Sequence, residues 1–170
     1  MIILIGYMGS GKTAVGQALS DKINKTFIDL DNYIAKQEEM SIPEIFEKKG
    51  EIYFRKKEYI YLKELLEKNT SEIILSVGGG TPCYGENMKM INEASDNVFY
   101  LKATIDTLCD RLSKEKNERP LISHLSDNDM QEFIRKHLFE RNFYYLQARH
   151  KIDVDTLSVD EIVEKIETLL

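Results

Sequence analysis

Residues 2–13 read IILIGYMGSGKT, and this stretch decides the fold class. Its four apolar residues predict a short buried strand, and Gly6 through Thr13 then match the pattern G-x-x-x-x-G-K-[S/T]. Glycines in this pattern let successive backbone N–H groups curl around phosphate oxygens, at the positive end of the helix that follows. The stretch therefore predicts a strand, a phosphate-binding loop and a helix in that order, with a site for a nucleoside triphosphate.

The same loop supplies side chains for the phosphates and for Mg²⁺. We expect Lys12 to reach the β and γ phosphates as a catalytic group, and the Thr13 hydroxyl to ligate the metal ion. The predicted ATP-binding residues of the loop are Gly9, Ser10, Gly11, Lys12, Thr13 and Ala14. The alternative is a glycine turn beside a solvated lysine, which the strand before the loop and the helix after it disfavour.

Short apolar runs alternate with amphipathic stretches along the rest of the chain. The predicted strands are Ile2–Ile5, Thr26–Leu30, Ile73–Val77, Val98–Leu101 and Lys151–Val154. The predicted helices are Thr13–Ile23, Glu51–Lys68, Asp127–Ala148 and Val159–Leu170, and S-x-x-E capping boxes at Ser41 and Ser158 mark two helix starts. This alternation predicts an α/β fold, a parallel sheet between two layers of helices, in a single domain over residues 1–170.

Composition excludes several classes of partner. With 29 acidic and 23 Lys and Arg residues the net charge is −6, which disfavours nucleic acid as the main partner. No apolar run is long enough to span a membrane, and the first residues lack the basic region of a signal peptide. The two cysteines match no metal or redox spacing, so we expect reduced thiols in a cytoplasmic protein. No exposed apolar stripe stands out, and we expect a monomer.

Two acidic residues end the second predicted strand, as Asp29-Leu30-Asp31. Residues two apart in a strand face the same side, so we expect both carboxylates at the carboxyl edge of the sheet, beside the phosphate-binding loop. One could bind a magnesium-bound water and the other could accept a hydrogen bond from a substrate hydroxyl. The alternative is a solvated strand end with an N-cap for the next helix.

Glycines and arginines supply the remaining candidates. Gly78-Gly79-Gly80 follows the third strand, where backbone must approach a ligand closely or simply turn. Arg55 offers bidentate carboxylate recognition, or else forms a surface ion pair with Glu58 or Glu51. Arg119 lies in the polar segment 113–126, a candidate mobile loop or lid. Its guanidinium there could cover the transferring phosphoryl group, or it is an arginine without a role in the site. Arg141 lies on the long helix after the lid.

Taken together, these elements resemble shikimate kinase over essentially the whole chain. The match is an ordered set of six motifs, namely G-x-x-G-x-G-K-[S/T], D-x-D, F-R, G-G-G, R-P-L and R-x-x-x-Y. They are present here as Gly6–Thr13, Asp29–Asp31, Phe54-Arg55, Gly78–Gly80, Arg119–Leu121 and Arg141…Tyr145. The resemblance implies a nucleoside-monophosphate-kinase-like fold, a five-stranded parallel sheet flanked by helices, with a substrate-binding helical region at about 32–60.

The resemblance also implies a reaction and a role for each residue. MgATP would donate its γ-phosphoryl group to the 3-hydroxyl of shikimate, on the pathway to chorismate and the aromatic amino acids. Asp31 would bind the hydroxyl and act as base, and Asp29 would hold Mg²⁺ through water while Thr13 ligates it. The implied substrate-binding residues are Asp31, Arg55, Gly78, Gly79, Gly80, Arg141, Phe46 and Phe54. Arg119 and Arg111 would contact ATP, with Arg111 and the Asp155–Ser158 loop near adenine.

Two departures from the family pattern and two alternatives accompany this interpretation. Leu30 replaces a small polar residue in D-x-D and should point away from the site, and Ile122 replaces Leu after R-P-L. A gluconate or nucleoside monophosphate kinase would share the fold. A non-catalytic nucleotide-binding module would keep Lys12 and Thr13 but would have no reason to keep Asp31, Arg55 and Arg119 together.

Overall fold

A parallel sheet of five strands forms the centre of the molecule. The computed structural model describes residues 1–68, 71–115 and 121–170. The strands are β1 Ile2–Ile5, β2 Thr26–Asp29, β3 Ile73–Ser76, β4 Val98–Lys102 and β5 His150–Asp153, in the spatial order β2-β3-β1-β4-β5. The flanking helices are α1 Lys12–Ile23, α2 Leu30–Glu38, α3 Ile42–Glu67, α4 Asn87–Ala94, α5 Ile105–Lys114, α6 Asp127–Tyr145 and α7 Val159–Glu167. The predicted α/β fold with helices around a parallel sheet is confirmed.

The strand that precedes the phosphate-binding loop lies in the middle of the sheet. β1 is fully buried and pairs with β3 on one side and β4 on the other, so that Ile3 is in register with both Leu75 and Val98. β2 and β5 are edge strands with exposed residues. The loop after β1 consequently opens at the carboxyl edge of the sheet, where α/β proteins bind ligands.

The second strand is shorter than predicted, and this changes the account of the D-x-D motif. β2 ends at Asp29, whose carboxylate accepts a hydrogen bond from Asn32 N at 3.2 Å and so caps α2. Leu30 is fully buried, which agrees with the expectation that it points away from the site. Asp31 lies in the first turn of α2, so the prediction that both carboxylates extend from one strand face is wrong. A short acidic side chain at a strand end starts a helix readily because it accepts an orphan N–H group.

A glycine interrupts the helix that carries the F-R motif. α3 begins at Ser41 with the predicted capping box, in which Ser41 N donates to Glu44 Oε2 at 3.0 Å. Its backbone leaves the helical conformation at Gly50, where φ is 80°. Phe46 and Phe54 would lie about 12 Å apart along an unbroken helix, given the rise per residue. Because of the break, their ring centroids lie 4.6 Å apart.

The surface carries one apolar feature that the sequence analysis missed. Phe139, Phe143 and Leu146 follow each other at helical spacing along the end of α6, and Phe139 is 84% exposed. The expectation that no exposed apolar stripe exists is therefore wrong, while the monomer stays a prediction. Within the described ranges, none of the helices has the length and apolar character needed to cross a membrane.

One polar cluster joins α2, which carries Asp31, to α3, which carries Arg55. The Glu38 carboxylate accepts hydrogen bonds from Tyr53 Oη and Tyr61 Oη, both at 2.5 Å, and lies 2.7 Å from Lys57 Nζ. The Lys57 ammonium also lies over the two tyrosine rings, 5.4 and 5.6 Å from their centroids. Burial opposes ionisation of Glu38, but the hydrogen bonds from Lys57 and the tyrosines outweigh it and lower its pKa to about 2.

We expect Glu38→Gln to lower the free energy of unfolding by about 2 kcal/mol at pH 7, because Lys57 and two phenols lose an ionised acceptor. The pKa of Glu38 is lower in the folded protein than its ordinary value of 4.5, so this stabilisation is present above that value. It is lost as pH falls toward about 2. Urea unfolding at pH 7 and pH 3 measures the loss, with Glu39→Gln at the neighbouring exposed position as control. An equal loss at both pH values would contradict the prediction.

Candidate active site

A cavity of about 650 Å³ opens beside the phosphate-binding loop, at the carboxyl edge of the sheet. The predicted residues that line it are Gly9, Ser10, Gly11, Lys12, Thr13, Ala14, Asp29, Asp31, Gly78, Gly79 and Arg111. The structure thus brings the glycine-rich loop, both carboxylates of D-x-D and two glycines of the G-G-G run into one space. Gly80, Arg55, Arg141, Phe46 and Phe54 do not line this cavity. Gly80 and Arg55 adjoin it through the glycine run.

Two cations are placed against the phosphate-binding loop. Lys12 Nζ donates to Gly6 O at 2.8 Å and Tyr7 O at 3.1 Å. Arg111 donates through Nη1 to Gly9 O and Ser10 O, both at 3.3 Å, and through Nη2 to Val154 O at 3.1 Å. Arg111 therefore ties the loop to the end of β5, which is a structural role that the sequence analysis did not predict.

Asp31 is the most perturbed acid of the cavity. Burial raises the pKa of Asp31 to about 6, and the nearby carboxylates of Asp29 and Glu58 act in the same direction. The positive charges of Lys12 and Arg55 oppose this rise. A carboxyl group with a pKa near neutrality can take up and release a proton under working conditions, which suits it to general base catalysis.

The three consecutive glycines each allow a different group to approach. A methyl group at Gly78 would lie 3.0 Å from Asp31 Oδ1, and one at Gly80 would lie 3.1 Å from Arg55 Nη2. A methyl group at Gly79 would meet the phosphate-binding loop itself, 3.2 Å from Met8 N. The run therefore packs bare backbone between the loop, the acid and the guanidinium, so a plain turn does not account for it.

Arg55 forms both ion pairs considered in the sequence analysis, but one of them is buried. Its Nη1 donates to Glu58 Oε2 at 2.8 Å, and the Glu58 side chain is 1% exposed. Its Nε lies 3.5 Å from Glu51 Oε1. Burial, the largest single effect, would lower the pKa of Arg55. The charge and hydrogen bond of Glu58, with the charges of Tyr84 and Glu51, together outweigh burial, so the pKa is raised. A buried carboxylate that holds a guanidinium in one place is more than a surface ion pair.

Arg141 lies near the same region from the side of α6. Its guanidinium is 5.4 Å from the ring centroid of Tyr7, the residue after the first glycine of the loop. Burial raises the pKa of the Cys83 thiol to about 11 although the charges of both Arg141 and Arg55 act against the rise. Cys83 therefore lies within electrostatic reach of the two arginines. Tyr145, one helical turn beyond Arg141, donates to Gly79 O at 2.5 Å and anchors the glycine run.

Comparison with known proteins decides the family. The family model "Shikimate kinase" matches residues 8–170. The chain belongs to the shikimate kinase family. A shikimate kinase of Flavobacterium johnsoniae is 48% identical over 169 residues, which cover 99% of this chain and 98% of the relative.

Two solved shikimate kinases share the fold at high similarity. The enzyme from Bacteroides thetaiotaomicron superposes with a TM-score of 0.92 at 34% identity, covering 99% of this chain and 96% of that one. The enzyme from Acinetobacter baumannii, solved in complex with shikimate, gives a TM-score of 0.87 at 31% identity, covering 99% and 90%. The resemblance stated from the sequence motifs is confirmed.

In this shikimate kinase family member, part of the cavity wall was not identified from the sequence. Val159 and Ile162, in the first turn of α7, line the cavity together with Leu157 of the Asp155–Ser158 loop. The sequence analysis named only the Asp155–Ser158 loop there, because single apolar residues at a helix start carry no distinctive motif. Arg119, with most of the R-P-L motif, lies outside the described residues.

The oxygen atoms at this cavity are suitable ligands for Mg²⁺. The Thr13 hydroxyl and the Asp29 carboxylate both line the cavity. The Ser76 hydroxyl, in register with Asp29 on β3, is buried and has no hydrogen-bond partner among the described residues. The same part of the chain contains no group of three acidic, His or Cys side chains that could hold a metal. Mg²⁺ needs no such group, since it binds through one or two protein oxygens and keeps several waters.

Proposed function

We propose that this chain is an ATP-dependent shikimate kinase that phosphorylates the 3-hydroxyl of shikimate. The observation that carries the proposal is the shared cavity of the phosphate-binding loop and the half-buried Asp31. Phosphoryl transfer needs a donor phosphate and an activated hydroxyl within bonding distance of each other, and positioning of this kind supplies much of the rate. Membership of the shikimate kinase family supports the identity of the acceptor.

The phosphate-binding loop would hold ATP. Its backbone N–H groups and the N-terminal end of α1 surround the phosphates, and Lys12 turns from Gly6 O and Tyr7 O toward the β and γ phosphates. Thr13, with Asp29 through water, would hold Mg²⁺, which neutralises charge on the phosphates. Arg111 and the wall of Leu157, Val159 and Ile162 would contact adenine.

Asp31 would accept the proton of the attacking hydroxyl. As the bond between the hydroxyl oxygen and the γ phosphorus forms and the bond from that phosphorus to ADP breaks, the proton passes to the Asp31 carboxylate. A pKa of about 6 matches that role at neutral pH, since the group is ionised before the reaction and basic enough to take up the proton. The products are shikimate 3-phosphate and ADP.

The substrate carboxylate would bind between arginines. Arg55 is held by Glu58 beside Gly80, and Arg141 approaches from α6, with Cys83 within reach of both charges. Gly79 and its neighbours would present backbone to the ring of shikimate, and the adjacent, tilted rings of Phe46 and Phe54 would form its apolar wall. Residues at about 32–60 would thus form the substrate-binding region, and Arg119 would come down with a lid at about 113–126 onto the phosphates.

The test is ADP release from MgATP with shikimate, gluconate, AMP or no acceptor. We expect release only with shikimate, at a rate at least 100-fold above the rate without acceptor, since positioning and base catalysis act on the bound hydroxyl. Phosphorus NMR of the product identifies the phosphorylated oxygen. Release with gluconate or AMP instead would overturn the acceptor assignment, and tight ATP binding without release would indicate a non-catalytic module.

A further inference from the structure

The guanidinium that the proposed function assigns to the substrate carboxylate lies over the ring of Tyr84. Its ring centroid is 3.8 Å from Arg55 Cζ, which is a close cation–π contact. The Tyr84 hydroxyl donates to Glu51 Oε1 at 2.9 Å, and the same oxygen lies 3.5 Å from Arg55 Nε. Tyr84, Glu51 and Arg55 therefore form a closed triangle in which the ring covers one face of the guanidinium.

Glu58 fixes the guanidinium from another direction. The buried Glu58 carboxylate binds Arg55 Nη1 at 2.8 Å through one oxygen and accepts a hydrogen bond from Thr81 Oγ1 at 2.6 Å through the other. The Nη2 end lies over Gly80, the last glycine of the run. With one face covered by Tyr84 and one edge held by Glu58, Arg55 presents a defined edge to the glycine run.

The segment that carries Tyr84 is itself anchored. Thr81 and Asn87, which flank it, are both buried, and Asn87 Nδ2 donates to Thr81 O at 2.8 Å. Thr81 in turn donates to Glu58, so the same buried carboxylate holds both Arg55 and the start of the segment. A ring on such a segment restricts the rotamers of Arg55 and does not merely follow them.

We propose that Tyr84 is a positioning residue for shikimate, which acts by holding Arg55 in the orientation that binds the substrate carboxylate. This inference rests on the proposed function, in which Arg55 recognises that carboxylate. A free arginine loses rotamer entropy when it binds, and an arginine held beforehand loses less, so the ring increases affinity without touching the reacting atoms. None of the six sequence motifs includes Tyr84.

Two substitutions separate the ring from the hydroxyl. We expect Tyr84→Leu to raise the KM for shikimate about fivefold, because a fivefold change in affinity corresponds to the free energy of a cation–π contact at a partly exposed site. The kcat and the KM for ATP should not change. Tyr84→Phe keeps the ring and should restore most of the affinity. The control is Phe139→Leu, which removes an exposed aromatic ring from α6 outside the proposed binding region and should change neither KM.

The methyl ester of shikimate tests whether the effect passes through the carboxylate. The ester lacks the negative charge, so the KM of the wild type and that of Tyr84→Leu should be the same for it. A merely structural role would raise both KM values with both acceptors and would not be rescued by Tyr84→Phe, and this result would overturn the proposal. An unchanged KM for shikimate in Tyr84→Leu would overturn it too. Failure of the wild type to turn over shikimate would instead contradict the proposed function.

Discussion

Asp31→Asn is expected to lower kcat for shikimate phosphorylation by about 1,000-fold, within the range that a positioned general base contributes. The amide is almost the same shape as the carboxylate and cannot take up the proton of the attacking hydroxyl. ATP binding should remain, because Asp31 does not belong to the phosphate-binding loop. Steady-state kinetics and ATP titration measure the two effects, and Asp21→Asn at an exposed position of α1 is the control. Unchanged turnover would remove Asp31 from the mechanism.

The same residue determines the expected pH dependence. Since the pKa of Asp31 is raised to about 6, kcat/KM of the wild type should fall tenfold for each pH unit below that value, as the base becomes protonated. The residual activity of Asp31→Asn should not show this fall. A profile that is flat down to pH 5 in the wild type would contradict the assignment of Asp31 as the base.

Asp31→Asn should also stabilise the fold, which distinguishes a functional acid from a structural one. The pKa of Asp31 rises from an ordinary value of 3.8 to about 6 on folding, so the folded protein binds more protons than the unfolded chain between these values. Stability therefore falls as pH rises through this window, and the full cost of the buried charge is present above it. At pH 8 the variant should gain about 3 kcal/mol of unfolding free energy, and at pH 3 almost none.

Lys12→Met is the second substitution with a large expected effect. We expect kcat to fall about 300-fold, which is the size of effect seen when a preorganised group that stabilises charge in the transition state is removed. ATP binding should also weaken. Lys12 also donates to Gly6 O and Tyr7 O, so the variant should lose about 1 kcal/mol of stability through these contacts.

A lysine elsewhere on the same helix provides the control for this variant. Lys22→Met removes the same charge from the last turn of α1, where Lys22 pairs with Glu167 at 2.6 Å on the surface. It should leave kcat and ATP binding as in the wild type. If both variants lose activity equally, net charge and not the phosphate contact explains the effect of Lys12.

Local motifs were predictable because they depend on neighbours in the chain. The buried strand, the glycine-rich loop and α1 follow from residues 2–23 alone, and the capping boxes at Ser41 and Ser158 formed as predicted. Boundaries were less accurate, since Asp29 could end a strand or cap a helix and the sequence does not say which. α4 and α5 were not predicted, because eight and ten residues make only two to three helical turns and show the helical period poorly.

The site was predicted as a list of residues and not as an arrangement. The motifs identified the glycine run, Arg55 and Arg141 as site residues. They did not predict the contacts that require glycine at each position of the run. These contacts arise only when β3, α3 and the phosphate-binding loop meet at one edge of the sheet, across sequence separations of tens of residues. Periodicity and spacing contain no information about such distant pairs.

The sequence by itself thus determined the family, the phosphate-binding loop and the chemical types of the side chains around it. Only the tertiary structure decided how strongly those side chains are perturbed. In the sequence, Glu58 is indistinguishable from the surface glutamates of a charged helix. In the structure it is buried, accepts a hydrogen bond from Thr81 and forms an ion pair with Arg55. The pKa of the Asp31 carboxyl is raised toward neutrality for the same reason, since the pKa of a carboxyl group depends on its burial and on the charges that folding brings beside it.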